Sequence, residues 1–222
     1  MMTDAAQQVL DELAALEDPK ARAVNERHGD AHGVNLTKLR GVAKSVGTDA
    51  ELARELWATD DVAGQLVALL ILKPRVPEAD ELDGMLRTTR SAKAHDWFVN
   101  YIAKKSPHAE QMRAAWLDDA DADARAAAWS LTTDRVAKKP DGLDLDGLLD
   151  RIEAELSDAP EREQWAMNET LANIGIHHPA LRERAVAIGD RLQVLADYPT
   201  PPNCTSPFAP AWIAEIVRRR EG

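Results

Sequence analysis

From Thr3 to about Ala196 the apolar residues recur at helical spacing in short segments, and three segments end alike. Arg40-Gly-Val-Ala-Lys44, Tyr101-Ile-Ala-Lys-Lys105 and Arg135-Val-Ala-Lys-Lys139 each close an apolar run with clustered cations. Glu55-Leu-Trp57 followed by Thr59-Asp-Asp61 is echoed by Ala115-Trp116 followed by Asp118-Asp119. Lys44 to Lys104 is 60 residues and Trp57 to Trp116 is 59, so whole helical units recur, which is the signature of stacked helix pairs. Such a stack repeats its inner surface, so cations at equivalent points are expected to line one continuous groove.

Individual helices are marked by their stripes. Leu10, Leu13 and Leu16 start one; Leu36, Leu39, Val42, Ala43 and Val46 make a second; Leu52, Leu56 and Trp57 a third; Val62, Leu66, Leu69, Leu70 and Leu72 a fourth. Asn35, Thr48, Asp60, Ser91, Ser106 and Ser157 are the expected N-caps, and Pro19, Pro77, Pro107 and Pro160 lie where first turns tolerate proline. Alternating β-branched residues are scarce and aromatics make up only 5% of the chain, so no sheet is expected. The rhythm breaks between Tyr198 and Trp212, where Pro199, Pro201, Pro202, Pro207 and Pro210 impose an extended wrap before a closing helix over Ala211–Arg220. Tyr198, Phe208 and Trp212 give that wrap apolar anchors with which to cap the last helix pair. No shift in composition divides the 222 residues. The expectation is one all-α domain over 1–222, a right-handed superhelical stack of antiparallel helix pairs (an α-solenoid), with 197–222 as proline-rich wrap and closing helix.

The net charge of −11 argues against a polyanionic partner only if charge is uniform. Acidic residues concentrate in runs, Asp118-Asp119-Ala-Asp121-Ala-Asp123 and Asp141 to Asp150, apart from the basic clusters. Solvated helix starts, which favour acidic side chains, account for these runs; the alternative is a divided surface, acidic outside and basic within, which is compatible with phosphate binding because local potential decides it. One cysteine, Cys204, excludes an internal disulfide and a Cys-rich zinc site. It stands as a nucleophile or as a small packing residue. His177-His178 stands as a metal site or as a helix-end pair; adjacent side chains diverge and no carboxylate sits at ligand spacing, so no metal and no cofactor are expected. The N-terminal residues lack a basic region followed by an apolar core, and no window is apolar for roughly 18 residues, so a cytoplasmic location is expected.

Indoles and polar groups share helix faces in the second half. Trp97, Asn100 and Lys104 are spaced i, i+3, i+7; Arg125 and Trp129 i, i+4; Trp165 and Asn168 i, i+3. If these helices are inner members of successive pairs, Trp, Asn, Arg and Lys would face one groove, where cations take phosphates and indole faces meet exposed or cationic bases. The alternative is that the tryptophans are core.

Gly33-Val34, Leu39-Arg40-Gly-Val-Ala-Lys44, Leu52-Ala53 and Leu56-Trp57 resemble the opening of the DNA alkylation repair family, the AlkD-like proteins built from HEAT-like repeats. Val99-Asn100-Tyr-Ile-Ala103 and Ala124-Arg125-Ala-Ala-Ala-Trp129 resemble its later groove-lining helices. The resemblance implies HEAT-like helix pairs and removal of positively charged N3- and N7-alkylpurines from double-stranded DNA. It implies that Arg125 holds the backbone beside the lesion, that Trp97 with Trp129 or Trp165 lies near it, and that Asn100 or Glu169 assists attack at the sugar. Arg40, Lys44, Lys104, Lys105, Arg135, Lys138 and Lys139 would take phosphates. Asn100 stands where active members carry an aspartate. The alternative is therefore a non-catalytic HEAT-like scaffold that binds DNA, or a protein partner on the acidic outer face.

Overall fold

The computed structural model describes residues 2–59 and 61–221. Among them thirteen α-helices form and no strand does, apart from an isolated bridge between Glu17 and Val34. The chain divides into two compact units, residues 1–112 and 113–222.

The first unit holds α1 (Asp4–Ala15), α2 (Pro19–Glu26), α3 (Leu36–Val46), α4 (Ala50–Trp57), α5 (Val62–Ile71), α6 (Ala79–Arg87) and α7 (Ala92–Trp97), followed by a π-helical turn (Phe98–Ile102) and a 3-10 turn (Ala103–Lys105). α5 is its centre. Apart from Leu70 every residue of α5 is buried, and α1, α3, α4 and α7 pack against it. A helix apolar on all sides can only exist so enclosed. Its one polar residue, Gln65, donates to the carbonyls of Trp57 (3.2 Å) and Thr88 (2.9 Å) and accepts from the Arg90 amide (3.0 Å). Three partners offset the cost of burying an amide and tie the ends of α4 and α6 to the start of α7.

Asn35 and Ser91 cap α3 and α7 as expected, accepting from Thr37 and Ala94. The expected cap Thr48 gives way to its neighbour Asp49, whose carboxylate reaches the Leu52 amide at 3.0 Å. Asp60 lies outside the described residues; Asp61 caps α5. Ser106 accepts from the His108 amide before α8 (Ala109–Trp116), and Pro160, not Ser157, precedes α11. The 59-residue interval between Trp57 and Trp116 spans two structural steps: α4, α6 and α8 begin at Ala50, Ala79 and Ala109, and α6 carries no tryptophan to reveal the shorter period.

α8 spans the point where the units divide. Beyond it come α9 (Ala122–Lys138), α10 (Leu145–Glu155), α11 (Glu161–His177), α12 (Arg182–Leu192) and α13 (Ala209–Glu221). Three contacts align α9 with α11 in parallel: Arg125 with Glu163 at their starts, Thr133 with Thr170 (2.8 Å) midway, and His178 with the Val136 carbonyl (3.1 Å) at their ends. Two more align α11 with α13. Asn168 donates to the Pro207 carbonyl at 2.8 Å, and two residues before the end of α11 Gly175 abuts Ile213, where a Cβ would lie 2.5 Å from Cδ1. α10 and α12 return the chain and are joined by ion pairs, Arg184 to Asp146 (2.8 Å), Asp150 and Glu153, and Arg191 to Glu153. Stacked helix pairs, all-α, are thus the fold.

The segment between α12 and α13 is non-helical, as its prolines require. α13 starts at Ala209 and not Ala211, because Pro210 sits in the first turn, where a missing N–H leaves nothing unpaired.

Candidate nucleic-acid interface

The first unit assembles a ladder of cations and rings. At the end of α7 the Trp97 ring lies 5.2 Å from that of Tyr101, tilted by 41°. The Arg40 guanidinium, from α3, stands 5.5 Å from the Trp97 centroid, and the Lys105 ammonium 5.5 Å from that of Tyr101. The order is cation, indole, phenol, cation. Arg40 and Lys105 are exposed and both rings half-exposed; Lys44, one turn beyond Arg40 on α3, is also exposed.

The π-helical turn sets this arrangement. The Ala103 amide bonds the Phe98 carbonyl, five residues back, as well as that of Val99. Meanwhile the Asn100 amide nitrogen donates to the Asp96 carbonyl at 2.8 Å, the acceptor an α-helical backbone bond would use. Asn100 Oδ1 accepts from Lys104 Nζ at 2.9 Å. The expected face of Trp97, Asn100 and Lys104 therefore splits: Asn100 pairs with Lys104, and Trp97 with Tyr101. Tyr101 was not among the expected site residues, although it lies four residues from both Trp97 and Lys105.

In the second unit the guanidinium of Arg125 is already engaged. Nε and Nη2 meet Glu163 at 2.9 and 2.8 Å, and Nη1 donates to the carbonyls of Asp119 (2.9 Å) and Ala120 (3.0 Å). Glu163 is only 3% exposed. Its hydrogen bonds raise the pKa of Arg125 above the ordinary arginine value. Trp129, one turn on, has no exposed surface. It packs among α9, α10 and α11 under Arg151, whose guanidinium is 5.7 Å from the ring, and its Nε1 has no partner. Trp165 is half-exposed, edge-on to Tyr198 at 5.0 Å. Glu169 is half-buried, and its carbonyl accepts from Asn173.

Trp97 and Asn100 thus belong to the first unit, and Arg125, Trp129, Trp165 and Glu169 to the second. Of the other expected phosphate contacts, Arg135 donates to the carbonyls of Lys139 and Asp141 and closes α9. Lys138 pairs with Asp134 at 2.6 Å, and Lys139 is exposed. His178 holds the Val136 carbonyl, and Cys204 is exposed. Among the described residues no three His, Cys, Asp or Glu side chains are grouped to hold a metal ion, and no helix is long and apolar enough to cross a membrane.

Comparison with known proteins agrees with this architecture. A solved structure reported as "a new family of proteins related to the HEAT-like repeat DNA glycosylases with affinity for branched DNA structures" superposes with a TM-score of 0.76. It is 21% identical over 96% of this chain and 94% of its own. No curated protein matches the chain. The family model described as DNA alkylation repair enzyme matches residues 9–213. With a match over nearly the whole length and the HEAT-like fold, the chain belongs to the DNA alkylation repair family.

Proposed function

We propose that this protein binds DNA without excising bases. The observation that carries the reading is the ladder of Arg40, Trp97, Tyr101 and Lys105. An unstacked base takes the place of Arg40 on the Trp97 face or of Lys105 on the Tyr101 face while the displaced cation takes its phosphate, and each base–aromatic contact is worth about 1–3 kcal/mol. Lys44 and Lys104 extend the cationic border. The affinity for branched DNA of the similar solved structure fits such a platform, because a branch point interrupts the continuous stacking of a duplex.

The chemistry at Asn100 supports binding over excision. An alkylated purine is already a cationic leaving group, so the reaction requires negative charge near the developing oxocarbenium sugar. Asn100 offers a neutral amide whose oxygen is held by the Lys104 ammonium. That places positive charge at the wrong end. Arg125 faces a carboxylate, and Trp129 is sealed.

A second reading, excision of N3- or N7-alkylpurines, has Trp165 beside the lesion and Glu169 supplying the charge; both are partly accessible. Incubation with DNA carrying 7-methylguanine separates the two. Binding with no base release above the spontaneous rate is expected, and enzymatic release overturns the binding-only reading. Asn100→Asp sharpens the comparison, since a gain in release identifies the missing charge as limiting. Loss of DNA binding even at low salt favours a protein partner instead.

A further inference from the structure

The parallel register of α9, α11 and α13 brings their C-terminal ends to the same edge of the second unit. Since Gly175 is level with Ile213, α11 ends two residues further on at His177, whereas α13 continues to Glu221. At 1.5 Å per residue its last turns project about 9 Å past the end of α11. Cations predominate among the exposed side chains gathered there, with Asp141 an exposed carboxylate beside them. Lys138 is 69% accessible, Arg218 72% and Arg219 55%, while Lys139 and Arg220 are exposed.

Helix C-termini attract cations, because each carries roughly half a negative charge. That need is already met at α9 by Arg135, which donates to the carbonyls of Lys139 and Asp141, and at α11 by Arg182, whose Nε donates to the Gly175 carbonyl at 2.9 Å. The outer cations exceed it. On α13 Arg218 and Arg219 share one carboxylate, Glu215, at 2.9 and 2.6 Å, and Arg220 follows them. Such a surplus is unexpected on a chain of net charge −11 unless it has a use.

We propose that this edge, built from Lys138, Lys139, Arg218, Arg219 and Arg220, is a second phosphate-backbone contact, distinct from the ladder and indifferent to sequence. The proposal rests on the DNA-binding reading. The edge presents mainly flexible cations and no Trp, Tyr or Phe ring on which a base could stack, so it takes the continuous charge of a duplex and not an exposed base. His177, at the same edge, has its pKa lowered by burial, by Arg220 and by His178, consistent with a locally positive field.

The test uses the full chain and a fluorescent random-sequence duplex, with affinity measured from 50 to 200 mM salt. Two variants, R218Q/R219Q/R220Q and K138Q/K139Q, lie on different helices, and glutamine keeps helix propensity. Each is expected to bind about tenfold more weakly at 50 mM salt, with the slope of log affinity against log salt shallower by about 3 for the arginine triple and about 2 for the lysine pair. Trp97→Ala, by contrast, is expected to lower affinity for a labelled single strand of the same sequence, with the slope retained. If both edge variants keep wild-type affinity and slope on the duplex while Trp97→Ala weakens single-strand binding, the edge is overturned and the DNA reading stands. If wild-type protein ignores the duplex but binds phosphatidylserine vesicles through the arginines, both are overturned.

Discussion

The Glu163 carboxylate, almost fully enclosed, holds the Arg125 guanidinium through paired bonds of 2.9 and 2.8 Å between the first turns of α11 and α9. An arginine so occupied joins two repeats. Replacing it with Met leaves the carboxylate buried and unpaired, which costs about 3–5 kcal/mol. Urea denaturation of Arg125→Met is expected to show that loss, and the double variant with Glu163→Met is expected to recover most of it. A double variant no more stable than the single contradicts the structural role.

Close approach of α13 to α11 depends on Gly175, because a Cβ there would meet Ile213 Cδ1 at 2.5 Å and Ala185 Cβ at 3.3 Å. Gly175→Ala is expected to destabilise by about 1–3 kcal/mol through overpacking. Gly41, inside α3, has nothing within 4 Å of its added Cβ. Gly41→Ala is expected to stabilise by about 0.5–1 kcal/mol. Thermal melts of the two variants should move in opposite directions.

His32 is 1% exposed, and its Nδ1 accepts from the Val34 amide at 3.2 Å. Burial lowers its pKa below 6.5; Lys93 adds to the shift, and Asp30 opposes it. The folded state therefore binds its proton less readily than the unfolded chain. This contribution to stability is complete above about pH 6.5 and declines as pH falls from there through the folded pKa. His32→Asn, which keeps an acceptor for Val34, is expected to flatten the fall in urea midpoint below pH 6.5. An unchanged pH profile contradicts the assignment.

Much of the fold was legible because local signals agree with it. The stripe Leu36, Leu39, Val42, Ala43 and Val46 spans α3 (Leu36–Val46), and the absence of alternation correctly excluded sheets. The site was less legible. A 3.6-residue period cannot show the π-helical turn that pairs Trp97 with Tyr101 and leaves Asn100 with Lys104. Nor could the sequence show which carboxylate, 38 residues away, would neutralise Arg125. Trp129 looked like a groove indole because Arg125 shares its face. The small neighbours Ala126, Ala127 and Ala128 are what let adjacent helices close over α9, and that is decided by packing.

The ladder is tested most directly by fluorescence anisotropy of a labelled four-way DNA junction at low salt, comparing wild type with Trp97→Ala, Tyr101→Ala and Arg40→Gln. Wild-type protein is expected to bind, each aromatic truncation to weaken binding by about 1–3 kcal/mol, and Tyr101→Phe to retain it. Wild-type affinity in all three ladder variants, with their folds intact, contradicts the account.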